Sequence, residues 1–283
     1  MKINVETGKI ENVKTDAAIL PVFEDEKPGR IAERVDKALG GTIQKLIKRG
    51  DFKPKVGTAA LIYPEGKIAA ERLILAGLGK RADVTLDRLR QAAGKAAPYA
   101  RMSGARNFAF VTDGFGLDPQ ESAQALTEGS VLGLYRFLKY KTDEENDRKK
   151  EVEEITFLTE AASLVRTMQK GVSTGEVIAG ATVMARDMVN HPSADMTPTV
   201  IAGIARDIAK KHKLRLQVLE KKQMQRLGMA RSWAWRRGAH SRRSSSSWNT
   251  AAGGKNRSSP SWARPLPSIP AAFPSRHRRT RKG

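Results

Sequence analysis

Cysteine is absent from the 283 residues, which excludes disulfides and thiolate metal sites and fits a reducing cytosol. No apolar run approaches the roughly 18–20 residues that a membrane-spanning helix needs. Met1–Val5 opens on a strand-like alternation with no apolar stretch behind a basic start, so no secretory signal is expected and the cytoplasm is the expected location. The largest absence is local. Residues 230–283 contain no Asp, Glu, Val or Tyr, yet hold all four tryptophans (Trp233, Trp235, Trp248 and Trp262) and a serine run, Ser244–Ser247. They carry 13 of the 51 Lys and Arg residues, so residues 1–229 hold 51 − 13 = 38 basic against all 30 acidic side chains, net +8. The tail alone adds +13. A formal charge of +21 ordinarily points to nucleic acid or an anionic surface. Most of it sits in the tail, so it does not describe the folded body.

What is present before the break alternates between strands and helices. Short apolar runs bounded by turn or charged residues predict strands over Lys2–Val5, Ala17–Phe23, Thr58–Tyr63, Arg72–Leu78, Asn107–Thr112 and Glu154–Leu158. Helical patterns fall over Arg30–Arg49, Leu86–Met102 and Gln120–Tyr140. A long pattern over Leu164–Asn190 is expected to be interrupted near Gly171 and Gly175 and is stopped by His191-Pro192. Thr197-Pro198 restarts a helix with Thr as its cap. Leu214–Leu219 reads as a strand and Lys221–Leu227 as the start of another helix. The order implies an α/β layer fold. A second α/β unit begins near residue 165 and runs for only about 65 residues, less than a typical domain.

Local chemistry in residues 1–229 is sparse. His191 and His212 stand without metal-ligand spacing around them. Ala76-Gly77-Leu78-Gly79-Lys80 follows a strand, but lacks the third glycine of a dinucleotide fingerprint and the ending of a P-loop; it reads as a turn. Asp113 and Asp118 flank Gly114-Phe115-Gly116, where turn formation and helix capping account for them. The mixed-charge run Asp143–Glu151 reads as a solvated surface segment.

Three stretches together resemble the leucyl (cytosol) aminopeptidase family of two-metal peptidases. Glu71–Lys80 is similar to that family's amino-domain strand and turn. Glu128–Thr142 resembles its "EGxxLGxYxFxxYK" helix, and Arg186–Thr199 its "RxLxNxPxNxxTP" entry to the catalytic domain, with Ala194 where the family has asparagine. The resemblance runs from residue 1 to Met229. It implies a macro-like amino-terminal domain over 1–160, with a mixed sheet flanked by helices. A linker helix and the start of an incomplete α/β peptidase domain follow over 161–229. The tail, 230–283, is expected to be disordered.

The family's metal motif, "GKxxTFDTGGxSxK", lies beyond this point. Reading each codon's third base with the next two, Trp262–Arg276 admits G-K-A-I-T-F-D-T-G-G-I-S-I-K. In the same frame, Ser244–Asn249 admits F-I-V-L-E-Y. The tail therefore reads as aminopeptidase gene translated out of frame. The resemblance implies removal of leucine-like amino-terminal residues from peptides, two divalent ions (manganese, zinc or magnesium), and a homo-hexamer. Its lysine and aspartate ligands and its carbonyl-polarising lysine fall on codons read here as Ala263-Arg264, Ser268-Ile269 and Ser275-Arg276. No position carries over a catalytic, cofactor or metal role, so the chain is expected to be truncated and inactive, with no metal bound. Two other readings are a binding module whose basic tail contacts nucleic acid or an anionic surface, and an amino domain acting in oligomer assembly.

Overall fold

Leu73, Ile74, Leu75 and Ala76 are buried in succession, the signature of a strand covered on both faces. The computed structural model describes residues 1–24, 29–141, 151–228 and 244–249. It divides into two compact units, Met1–Met196 and Thr197–Gly283.

The first unit is built on a six-stranded sheet: β1 (Lys2–Thr7), β2 (Ala17–Val22), β3 (Ala59–Ile62), β4 (Leu73–Gly77), β5 (Asn107–Val111) and β6 (Glu154–Thr159). The spatial order is β1-β6-β5-β2-β4-β3. β3 pairs antiparallel with β4, and the other pairs are parallel, so the sheet is mixed, as expected. Successive side chains alternate between two cores. Ile19, Ile74, Phe108, Phe110, Ile155 and Phe157 face α3 (Leu86–Met102), α4 (Pro119–Leu134) and α5 (Val165–Asn190). Leu20, Leu73 and Leu75 face α1 (Arg30–Ala38) and α2 (Thr42–Arg49). Each fully buried Leu or Ile contributes about 1.5–3 kcal/mol.

Three helices differ from the sequence expectation, each for a physical reason. The single helix expected over Arg30–Arg49 is two. Gly40 and Gly41 turn the chain at φ +68° and +80°, and the buried Asp36 carboxylate accepts from Ile43 N at 2.7 Å to start α2. The helix expected to reach Tyr140 stops at Leu134, where Tyr135 turns extended. Arg101 donates to Leu134 O at 2.7 Å and Arg186 to Leu132 O at 3.1 Å, capping its last carbonyls. The helix expected to break near Gly171 and Gly175 is continuous over Val165–Asn190. Its glycines serve close packing: a Cβ at Gly175 would lie 2.8 Å from Thr127 Cβ, and one at Gly171 would collide with the Gln120 carbonyl. These contacts against α4 place the helix in the first unit.

In the second unit, Thr197 caps α6 (Pro198–Lys211) by accepting from Val200 N at 3.4 Å, as its Thr-Pro start implies. β7 (Arg215–Glu220) leads into the short α7 (Lys221–Arg226), which opens on a capping box between Glu220 and Gln223. The expectation of a tail without regular structure meets an exception here. Ser244–Asn249 forms β8, antiparallel to β7, with Leu216 opposite Trp248 and Val218 opposite Ser246. Main-chain pairing is tolerant of sequence, and an open strand edge offers its unpaired N–H and C=O groups to any extended segment. The remainder of the tail lies outside the described residues.

Candidate functional site

The two most specific stretches of the resemblance meet in space. At the end of α4, the Tyr135 hydroxyl donates to Asp187 Oδ1 at 2.7 Å and accepts from Asn190 Nδ2 at 2.9 Å, both on α5. The Arg186 guanidinium stands 5.5 Å from the centre of the same ring. Lys139 Nζ lies 2.9 Å from His191 Nε2, while His191 Nδ1 contacts Asp187 O at 2.6 Å. Phe137 packs 5.1 Å from the His191 ring, and Tyr140 donates to Asp195. Burial, then the Asp187 carboxylate, raises the Tyr135 phenol above its ordinary pKa. For Tyr140 the hydrogen bond to Asp195 is the larger cause of a shift in the same direction. These phenols stay neutral and act as donors. They tether the end of α4 and the segment after it to α5 and the loop that follows.

The motif's upstream half is equally structural. Glu128 is buried and accepts from Arg90 Nε at 2.6 Å and Gln124 Nε2 at 2.7 Å. A Cβ at Gly133 would lie 2.8 Å from Gly94 Cα, and one at Gly129 would collide with the Arg90 carbonyl. The paired glycines let α3 and α4 approach at backbone distance. Sequence reasoning identified this motif without seeing that its glycines mark a helix crossing.

The other residues considered fall apart from one another. His191 caps α5 and His212 caps α6, in different units. In Ala76–Lys80, the Gly79 N–H donates to Pro54 O at 2.8 Å with φ +72°, and a Cβ at Gly77 would lie 2.7 Å from the Pro54 carbonyl carbon. This is a close-packed turn. Asp118 caps α4 by accepting from Glu121 N at 2.9 Å. Asp113 does more than form a turn: it accepts from Thr159 Oγ1 and Glu160 N, each at 2.7 Å, pinning β5 to the end of β6. Residues 143–150 of the charge run, and the Ala263-Arg264, Ser268-Ile269 and Ser275-Arg276 positions, lie outside the described residues. Among the described residues, no three His, Cys, Asp or Glu side chains gather where a metal ion could be held.

Comparison with known proteins places this architecture. The model of the cytosol aminopeptidase family N-terminal domain matches residues 19–144, and that of its catalytic domain matches residues 183–258. The chain is 37% identical over 232 residues to a probable cytosol aminopeptidase of Alkaliphilus metalliredigens (strain QYMF), covering 81% of this chain and 46% of that protein. It is 38% identical over 230 residues to one of Geobacter sp. (strain M21), with the same coverage. Among solved structures, a tomato leucine aminopeptidase variant shares the fold at TM-score 0.68 and 23% identity, over 81% of this chain and 46% of that one. The bottromycin maturation enzyme BotP, in complex with Mn, superposes at TM-score 0.61 and 25% identity, over 81% of this chain and 43% of that one. The chain belongs to the cytosol aminopeptidase family. It spans less than half the length of these relatives.

Proposed function

We propose that this chain descends from a two-metal leucyl aminopeptidase that hydrolyses leucine-like amino-terminal residues from peptides, and that as it stands it is a truncated, inactive form. The family match supports the ancestry. The observation that carries the rest is the loss of every carboxylate after residue 229, because a site for two hard cations needs several. The donor set of the described residues does not fit such a centre, so no hydrolytic step is derived through a metal in this chain. In the intact enzyme two divalent ions, manganese or zinc, would supply the activation of a water nucleophile. BotP's complex with Mn supports divalent metal use in the family.

In this proposal residues 1–160 are the amino-terminal domain, 161–229 the linker and start of the peptidase domain, and 230–283 an out-of-frame translation. β8 falls on the six residues whose codons, read in the shifted frame, admit a strand-like F-I-V-L-E-Y, and this supports the frame assignment. The catalytic-domain match itself continues to residue 258, past the break in composition. The homo-hexamer, the peptide substrate and the cytoplasmic location belong to the intact enzyme. Among the described residues no helix is long and apolar enough to cross a membrane.

The test is hydrolysis of leucine amide by the purified chain with added manganese or zinc. None is expected, and restoring the frame around the Met229 and Ala230 codons, where the proposal puts one base lost or two gained, should produce activity. Metal-dependent leucine release by the unaltered chain would overturn the proposal. The 13 cations of the tail favour one competing reading, a nucleic-acid or anionic-surface module. Its mark would be low-salt binding to duplex DNA that disappears when residues 230–283 are removed.

A further inference from the structure

β3 is an outer strand of the six-stranded sheet and pairs on one side only, with β4. The Gly77 N–H donates to Thr58 O at 2.9 Å, which fixes the alternation of this antiparallel ladder. Thr58, Ala60 and Ile62 therefore bond to β4, and Ala59 and Leu61 turn their N–H and C=O groups outward. Among the described residues nothing meets those outward groups.

Open edges are usually protected by charge, proline or a bulge. The opposite edge, β1, carries Lys2 and Glu6. From Gly57 to Tyr63 there is no charged residue and no proline. Gly57 and Glu65, at φ +79° and +52°, turn the chain at the two ends and bound the free edge. Its side chains continue the two cores: Ala59 and Leu61 pack against one, Ala60 against the other, and Tyr63 stands 63% exposed at the end.

We infer that two copies of the chain pair through β3, antiparallel about a two-fold axis at Ala60, and join their sheets into one. In that register Ala59 of each copy lies opposite Leu61 of the other, and such pairs exchange main-chain hydrogen bonds in both directions. Ala60 meets its own copy on the axis, where non-bonded Cα atoms come within about 4.5 Å and a methyl side chain fits. Tyr63 comes over Gly57 of the other copy, which sets no side chain against the ring. The exposed Lys55 and Glu65 then meet at each end of the ladder with opposite sign. Parallel pairing would set like charges together instead. This self-complementarity is what selects a second copy as the occupant. A ladder this short buries less than the ~1,200–2,000 Å² of a standard interface, so the pair forms reversibly with concentration. It uses the first unit alone and depends neither on the peptidase ancestry nor on the hexamer of the intact enzyme.

The test is sedimentation velocity of the full chain from about 5 to about 500 µM, in about 0.3 M salt to screen the tail's cations. A monomer–dimer equilibrium is expected. Ala59→Pro removes an outward N–H and no bond to β4, at the first residue of a strand, where proline is tolerated. It should weaken association at least tenfold. The chain has no cysteine, so Ala60→Cys supplies a single thiol on the axis, at a Cα separation within disulfide range. Oxidation with diamide should link this variant into dimers at least tenfold faster than Glu6→Cys on β1. Thermal melts confirm that each variant folds. A chain that stays monomeric throughout, or equal crosslinking from the two sheet edges, would overturn the proposal. Association that survives Ala59→Pro would overturn it too, and would place the contact elsewhere on the chain.

Discussion

The Tyr135 hydroxyl and the Asp187 carboxylate, 52 residues apart in sequence, stand 2.7 Å from each other and fasten the end of α4 to the last turns of α5. Tyr135→Phe deletes that donor and the acceptor used by Asn190, while keeping the ring under Arg186. The local effect should exceed the global one. Amides of residues 186–191 should exchange faster in the variant, with those of β4 unchanged. Equal loss of protection in both places would show that the tether supports the whole unit and not one junction.

Two glycines in long helices should respond oppositely to the same added methyl group. At Gly129 a Cβ would collide with the Arg90 carbonyl and lie 2.9 Å from Arg90 Cα, so α3 and α4 must separate. Gly129→Ala should destabilise the first unit by about 1–3 kcal/mol, the range for overpacking. Gly180, on α5, has nothing within 4 Å of its Cβ position. Gly180→Ala should stabilise by about 0.5–1 kcal/mol through helix propensity. Urea denaturation of both variants against the parent measures the signs. Destabilisation by both would mean that the outer face of α5 is covered.

These glycines also show where sequence reading stops. The strands of the first unit were legible because each is a short apolar run, and the expected and observed bounds of β2, β4, β5 and β6 differ by one residue at most. Leu86–Met102 was legible in full from the stripe of Leu86, Leu89, Ala93 and Ala97, and the structure adds Thr85 as its cap. What was not legible depends on partners distant in the chain. Gly171 and Gly175 look like interruptions until Gln120 and Thr127 are seen against them. The end of α4 depends on Arg101 and Arg186, 33 and 54 residues from the carbonyls they cap. The family was legible from motifs whose residues prove to be tethers and helix crossings.

Acid should weaken one corner of the first unit in a specific way. Arg34 donates to both Glu11 and Glu160, and this hydrogen bonding holds the Glu160 carboxyl below its ordinary pKa of 4.5. A depressed folded-state pKa means that ionised Glu160 stabilises the fold above its unfolded-state value, and that this contribution is lost as pH falls through the folded value. Glu160→Gln should therefore lower the melting temperature at neutral pH. The difference from the parent should shrink below pH 4.5 and vanish once the parent's carboxyl is protonated. A difference that is constant from pH 7 to pH 3 would assign the effect to packing.

The pairing of β7 with Ser244–Asn249 makes the tail a structural element of the second unit, whatever its origin. A two-stranded sheet is marginal by itself, and here the second strand carries four serines in succession. The pairing should therefore be real but weak, supported by its main-chain hydrogen bonds. In hydrogen exchange, some amides of Arg215–Glu220 should be protected in the full chain, well below the level of Leu73–Gly77. Truncation after Met229 should release those in β7 and leave β4 untouched, because the buried residues described in the first unit's two cores all precede residue 173. Protection in β7 that persists after truncation would show that its edge is satisfied from elsewhere, and that β8 adds nothing to the unit's stability.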